Sequence, residues 1–146
     1  MKNTSKASAV WRGTLKEGKG TGKLPSLNQE FPYSAASRFE DKEKGTNPEE
    51  LLAAAHAQCF SMAFALELAG AGADPEEIST TANVSIEKQD EGFKITESKL
   101  ECHAKVSGIE EDKFQELAEG AKKNCPVSMA LASLDISLHA TLNGQV

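Results

Sequence analysis

The stretch Gly45-Thr46-Asn47-Pro48-Glu49-Glu50-Leu51-Leu52-Ala53-Ala54-Ala55-His56-Ala57-Gln58-Cys59-Phe60-Ser61-Met62-Ala63 opens a long helix, and its reading decides the fold. Thr46 or Asn47 can cap this helix, and Pro48 suits its first turn, where no amide donor is needed. Glu49 and Glu50 lie where the helix dipole favours negative charge. From Leu51 to Leu68 the only charged residue is Glu67, so the helix is apolar nearly all round rather than along one stripe. A helix of that kind belongs in the middle of something. Gly70 and Gly72 supply its stop. It does not read as a membrane span, because the uncharged run from Leu51 to Leu66 is short, weakly hydrophobic and interrupted by His56, Gln58 and Ser61.

On the N-terminal side, residues 6–13 alternate weakly and are expected to form a strand. Glu17-Gly18-Lys19-Gly20-Thr21-Gly22-Lys23 is glycine-rich but lacks the spacing of a phosphate loop, so a hairpin or twisted edge strand is expected there. Residues 27–33 read as a third strand, 34–40 as an extended connection, and Asp41-Lys42-Glu43-Lys44 as a charged exposed loop. On the C-terminal side, Asp74-Pro75-Glu76-Glu77 reads as a turn able to form one short helical turn. The period then changes to two. Ile78, Ala82, Val84 and Ile86 share one face of a strand over 78–89, and Asp90-Glu91-Gly92 turns the chain back.

The returning strand changes phase. Phe93 and Ile95 are apolar at odd positions, whereas Leu100, Cys102, Ala104 and Val106 are apolar at even ones, which predicts a bulge near Glu97-Ser98. Cys102 then faces the core and His103 faces away. Residues 110–123 form an amphipathic helix with Phe114, Leu117, Ala118 and Ala121 on one face, followed by a short helix over 126–133. Alternation from Leu134 to Leu142 is a strand. Strands, apolar helix, strands, helices and a last strand make an α+β protein rather than a series of βαβ units. The long buried central helix is expected to pack against antiparallel β-sheets, and a second copy of the chain covers it most easily, which predicts a homodimer.

The 146 residues, 39% hydrophobic and 26% charged, suit a single domain over 1–146 with a real core. A formal net charge of -6 argues against nucleic-acid and anionic-membrane partners. Residues 1–23 hold six Lys/Arg against one Glu, which reads as a solvated basic face pairing with the acidic remainder. Met1-Lys2-Asn3-Thr4-Ser5-Lys6 leads into no apolar core of a signal peptide, and three cysteines without paired spacing suit a reducing cytoplasmic location.

Two cysteines carry candidate chemistry. Free cysteine is ordinarily a small buried hydrophobe, but Cys59 has His56 one turn earlier, with Gln58 and Ser61 as further polar neighbours in an apolar helix. Cys125 stands in Lys122-Lys123-Asn124-Cys125-Pro126-Val127-Ser128. There the lysine charge and the helix opened by Pro126 favour a thiolate. Cys102 reads as a core residue.

Pro32-Tyr33, Ser37-Arg38-Phe39-Glu40, the stretch from Gly45 through Ala63, and Cys125-Pro126-Val127-Ser128 together resemble the OsmC/Ohr family of organic hydroperoxide reductases. The OsmC branch is the most similar, and the resemblance covers essentially the whole chain. It implies an intertwined α+β homodimer with two active sites at the subunit interface, and peroxidase chemistry without metal or other cofactor. Cys59 matches the family's peroxidatic cysteine, Cys125 the resolving one, and Arg38 and Glu49 the polar pair. The implied reaction takes an organic hydroperoxide to its alcohol through a Cys59 sulfenic acid and a Cys59–Cys125 disulfide, reopened by an external thiol reductant, in a response to oxidative or osmotic stress. Arg38 would supply the positive charge that a Cys59 thiolate needs, and Glu49 would orient Arg38. In one straight helix Glu49 and Cys59 lie roughly 15 Å apart along the axis, so the helix is expected to break or Arg38 to bridge the gap. Helix capping alone is the competing role for Glu49.

Gln58 stands where a small residue is expected, and Met129 follows the Cys-Pro-Val-Ser motif. Phe39, Phe60, Phe64 and Met129 are candidates for an apolar substrate pocket. Three rival readings accompany this one: a cysteine hydrolase with His56 as base, a non-catalytic redox sensor or apolar-ligand-binding stress protein of the same fold, and a structural zinc site.

Overall fold

A computed structural model describes residues 1–40 and 44–144. The chain divides into two compact units, one running to Leu51 and the other beginning at Leu52. The predicted charged loop at 41–44 lies, except for Lys44, outside the described residues.

The first unit is built on an antiparallel sheet of β1 (Ser8–Arg12), β2 (Lys19–Leu24) and β3 (Gln29–Tyr33), with β2 in the middle. The glycine-rich stretch is therefore a hairpin strand but not an edge. A methyl group on Gly20 or Gly22 would collide with the Tyr33 or Phe31 ring, so these glycines serve to let aromatic rings of β3 lie over β2. The expected extended connection is instead a short helix, α1 (Ala35–Phe39). It is nucleated by a capping box in which Ser34 Oγ accepts from the Ser37 N–H at 3.0 Å and Ser37 Oγ from the Ser34 N–H at 2.9 Å.

The long helix α2 (Pro48–Gly70) begins in the first unit and runs unbroken through the second. Asn47 caps it, its Oδ1 accepting from the Glu50 N–H at 2.8 Å, while Thr46 Oγ1 donates to the Glu50 carboxylate. After Gly72, at φ +77°, the chain enters β4 (Pro75–Gln89), so Pro75 starts a strand rather than a helical turn. That position suits it, since β4 is an edge strand and Pro has no amide to donate.

β4 pairs antiparallel with β5 (Gly92–Val106). The register steps between Ser85 opposite Glu97 and Ile86 opposite Ile95, so the predicted bulge is present and Thr96 is the extra residue. Two helices follow, α3 (Glu111–Asn124) and α4 (Pro126–Ala130), the latter shorter than expected. The last strand, β6 (Asp135–Leu142), pairs parallel with β5, which makes this sheet mixed rather than purely antiparallel. The cause is the helical connection, which returns the chain to the end of the sheet from which β5 set out.

Phe60, Phe64 and Leu68 of α2 pack with Leu100, Cys102, Ala104 and Val106 of β5 and with Phe114, Leu117, Ala118 and Ala121 of α3. The Phe64 and Phe114 rings meet edge to face, centroids 5.2 Å apart. Cys102 is fully buried, as expected, and His103 points away and pairs with Thr141. By length and composition α2 is apolar enough to cross a membrane, yet its inner face is protein core. The expectation of a buried central helix holds for that face only. Met62 and Leu66 are 75% and 76% exposed.

Candidate active site

The four residues singled out in the sequence form two pairs, one in each unit. In the first unit, Arg38 lies in the last turn of α1 and Glu49 in the first turn of α2. Arg38 Nη2 donates to Glu49 Oε1 at 2.7 Å, and Nε lies 3.2 Å from both carboxylate oxygens. This fork is the geometry that holds a guanidinium in one orientation. The α1 turn is fixed in turn, because Ser37 Oγ donates to the Thr46 carbonyl at 2.9 Å and the Thr46 N–H donates to the Pro32 carbonyl at 3.0 Å. Glu49 is buried and Arg38 about one-third exposed. Capping is done by Asn47, so the Glu49 side chain is committed to Arg38 instead. The guanidinium also lies 5.2 Å from the centroid of the Phe39 ring and lines a cavity of about 300 Å³ with Trp11, Leu15, Tyr33 and Phe39.

In the second unit, the half-buried Cys59 thiol is hydrogen-bonded to the thiol of the buried Cys125. Burial and the neighbouring Cys125 push the Cys59 thiol up from its ordinary range. The Val127 backbone N–H, donating toward the Cys59 sulfur, opposes them. Within its own unit Cys59 thus has one group favouring the thiolate and stronger influences against it.

His56 is no base for Cys59. Its Nδ1 is 2.7 Å from Ser98 Oγ and its Nε2 2.7 Å from Ser128 Oγ, so both ring nitrogens are engaged. Burial pushes the imidazole pKa down, which favours the uncharged ring. The hydrolase reading loses its base. Phe60 and Phe64 are fully buried core, which removes them as pocket residues, whereas Phe39 lines the cavity beside Arg38. Met129 and Gln58 are exposed. Among the described residues no three His, Cys, Asp or Glu side chains converge to hold a metal ion.

Three groups escaped the sequence reading. Ser98 had a signal, being polar yet in phase with the core positions Leu100 and Cys102. The Val127 N–H and the Trp11–Tyr33 wall had none, since backbone donors and strand-to-strand neighbours carry no mark in the sequence.

A family model described as OsmC-like protein matches residues 40–139. The chain belongs to the OsmC-like family. Among OsmC-like relatives, the peroxiredoxin OsmC of Escherichia coli strain K12 is 51% identical over 128 residues, covering 86% of this chain and 88% of that protein. The organic hydroperoxide resistance protein OhrA of Bacillus subtilis is 32% identical over 126 residues, covering 84% and 86%. The crystal structure of an organic hydroperoxide resistance protein from Elizabethkingia anophelis, with crystallant-derived thiocyanate bound, superposes with a TM-score of 0.74 at 27% identity, covering 98% of this chain and all of that one. The match to the OsmC peroxiredoxin agrees with the OsmC branch suggested by the motifs.

Proposed function

We propose that the chain is an organic hydroperoxide reductase in which Cys59 is the peroxidatic and Cys125 the resolving cysteine. Membership of the family makes it an oxidoreductase of the peroxidase kind. The observation that carries the residue-level reading is the hydrogen bond between the two thiols, the two that the motif resemblance pairs. In this reaction the Cys59 thiolate attacks the outer peroxide oxygen, the O–O bond breaks, and the alkoxide leaves as alcohol after taking a proton. The resulting sulfenic acid condenses with the Cys125 thiol, forming the S–S bond and releasing water. An external dithiol returns both cysteines to thiols.

The raised Cys59 thiol needs a cation, and we assign this to Arg38, oriented by Glu49. Because α2 is unbroken between Glu49 and Cys59, the site is assigned to a homodimer. The exposed Met62 and Leu66 support that assembly, since a second copy would cover them. The two units are taken as one OsmC-like domain, supported by α2 and by a family match that both run across the boundary at Leu51. The apolar walls of the cavity beside Arg38 suit the organic part of a hydroperoxide better than hydrogen peroxide. A cytoplasmic location, where free thiols stay reduced, suits the three free cysteines.

One equivalent of cumene hydroperoxide added to reduced protein tests this reading by thiol counting and peptide mapping. Loss of two thiols, with a Cys59–Cys125 disulfide inside one chain and Cys102 free, is expected, followed by repeated turnover with dithiothreitol. Cys59 remaining reduced overturns the reading. Oxidation without turnover replaces it with a redox sensor.

A further inference from the structure

His56 lies one turn before Cys59 on α2, fully buried, and reaches two other elements with its two ring nitrogens: Ser98 on β5 and Ser128 on α4. A neutral imidazole has one donor and one acceptor, and serine hydroxyls can be either, so the chain Ser98–His56–Ser128 satisfies every group in it. Ser98 is fully buried and Ser128 nearly so, so the chain is a designed polar connection inside an apolar core.

What it holds is the segment that carries Cys125. That segment is short: α4 has five residues, with Met129 N–H donating to the Cys125 carbonyl at 3.1 Å and Leu131 N–H to the Val127 carbonyl at 2.9 Å, and Cys125 N–H joins it to the Ala121 carbonyl of α3 at 2.9 Å. A helix of five residues is marginal by itself, so its position against α2 depends on tertiary contacts. Two groups on it must meet Cys59, the Cys125 thiol and the Val127 N–H. Ser128 is the next residue along.

We propose that His56 is a positioning residue that holds the Cys125–Ser128 segment against α2 through Ser128, keeping the Cys125 sulfur within reach of the Cys59 sulfur. Its effect falls on closure of the disulfide, because that step needs two sulfurs brought into line and gains most from a fixed geometry. The inference rests on the assignment of Cys59 and Cys125 as the reacting pair.

The test uses diamide, a non-peroxide oxidant that takes two electrons and two protons from a pair of thiols and becomes the hydrazine. Closure of the Cys59–Cys125 disulfide is timed in the full chain, in His56→Leu, in His56→Gln, which retains a donor and an acceptor, and in Ser128→Ala, which leaves the imidazole in place. Alkylation of Cys59 by iodoacetamide is timed alongside. Closure about tenfold slower in His56→Leu and Ser128→Ala, with partial rescue in His56→Gln and Cys59 alkylation undiminished, is the expected result. A core that had merely loosened would not change the ratio of closure to alkylation in this way. Closure within twofold of the unaltered chain in Ser128→Ala overturns the inference, even where His56→Leu does not fold. If diamide closes the disulfide in a His56-dependent manner while cumene hydroperoxide is not consumed, the inference is upheld and the peroxidase reading is overturned.

Discussion

Arg38 and Cys59 show how far single side chains can be read. Burial and Cys125 hold the Cys59 thiol above its ordinary range, so its thiolate, the form proposed to attack a peroxide, grows in as pH rises. The rate of reaction with cumene hydroperoxide is therefore expected to climb on the alkaline side, with Arg38 drawing that limb toward neutrality. In Arg38→Met the limb is expected to move to higher pH, and the rate near neutral pH to fall about 10²- to 10³-fold, the loss typical of removing a group that stabilises developing charge. Stopped-flow rates across the pH range check this, and an unmoved limb in Arg38→Met removes Arg38 from the site. At this scale the sequence singled out side chains but not what they touch. His56 was legible as unusual, while its partners were not, because Ser98 and Ser128 lie far from it along the chain and only packing brings their hydroxyls to its ring.

The elements were legible wherever a period ran long enough. The amphipathic face of α3, the alternation of β6 and the phase change in β5 all appear as read, since each rests on several residues agreeing. Short segments were harder. The capping box of α1 uses Ser37 where Glu or Gln is the usual signature, so five helical residues read as extended chain. Pro75 beside two glutamates resembles a helix start, and what decides for a strand is the long antiparallel pairing with β5. The start of α2 was well specified, and its cap gives a prediction. Asn47→Ala removes the acceptor for the Glu50 N–H and is expected to cost about 1 kcal/mol. Thermal denaturation should show a fall of about 2–4 °C for a chain of this size, and an unchanged midpoint would mean that Thr46 caps instead.

At the scale of the whole molecule, α2 is the element that asks for a partner. Only 22% of its most apolar window is buried within one chain, and leaving Met62 and Leu66 in water forfeits about 1.5–3 kcal/mol each relative to full burial. Met62→Asp combined with Leu66→Asp is expected to convert the proposed homodimer to monomer, read as halved mass by analytical ultracentrifugation. An unaltered sedimentation pattern would place the dimer interface elsewhere, and a compact monomer before any substitution would remove it. Activity should fall with the dimer, because the site is assigned to the assembly rather than to one chain.

What the sequence determined by itself was the class of the protein, and it singled out the cysteines proposed to react. An apolar helix with a strong start signal, a switch from helical to alternating periods, and the Cys59 and Cys125 motifs are local patterns, and local patterns survive without a fold. The tertiary structure decided what touches what. It joined Arg38 to Glu49, brought the Cys125 thiol and the Val127 N–H to Cys59, turned β6 parallel to β5, and engaged both nitrogens of His56. These are contacts between residues distant along the chain, and they depend on the path of the backbone, which no short stretch of residues encodes.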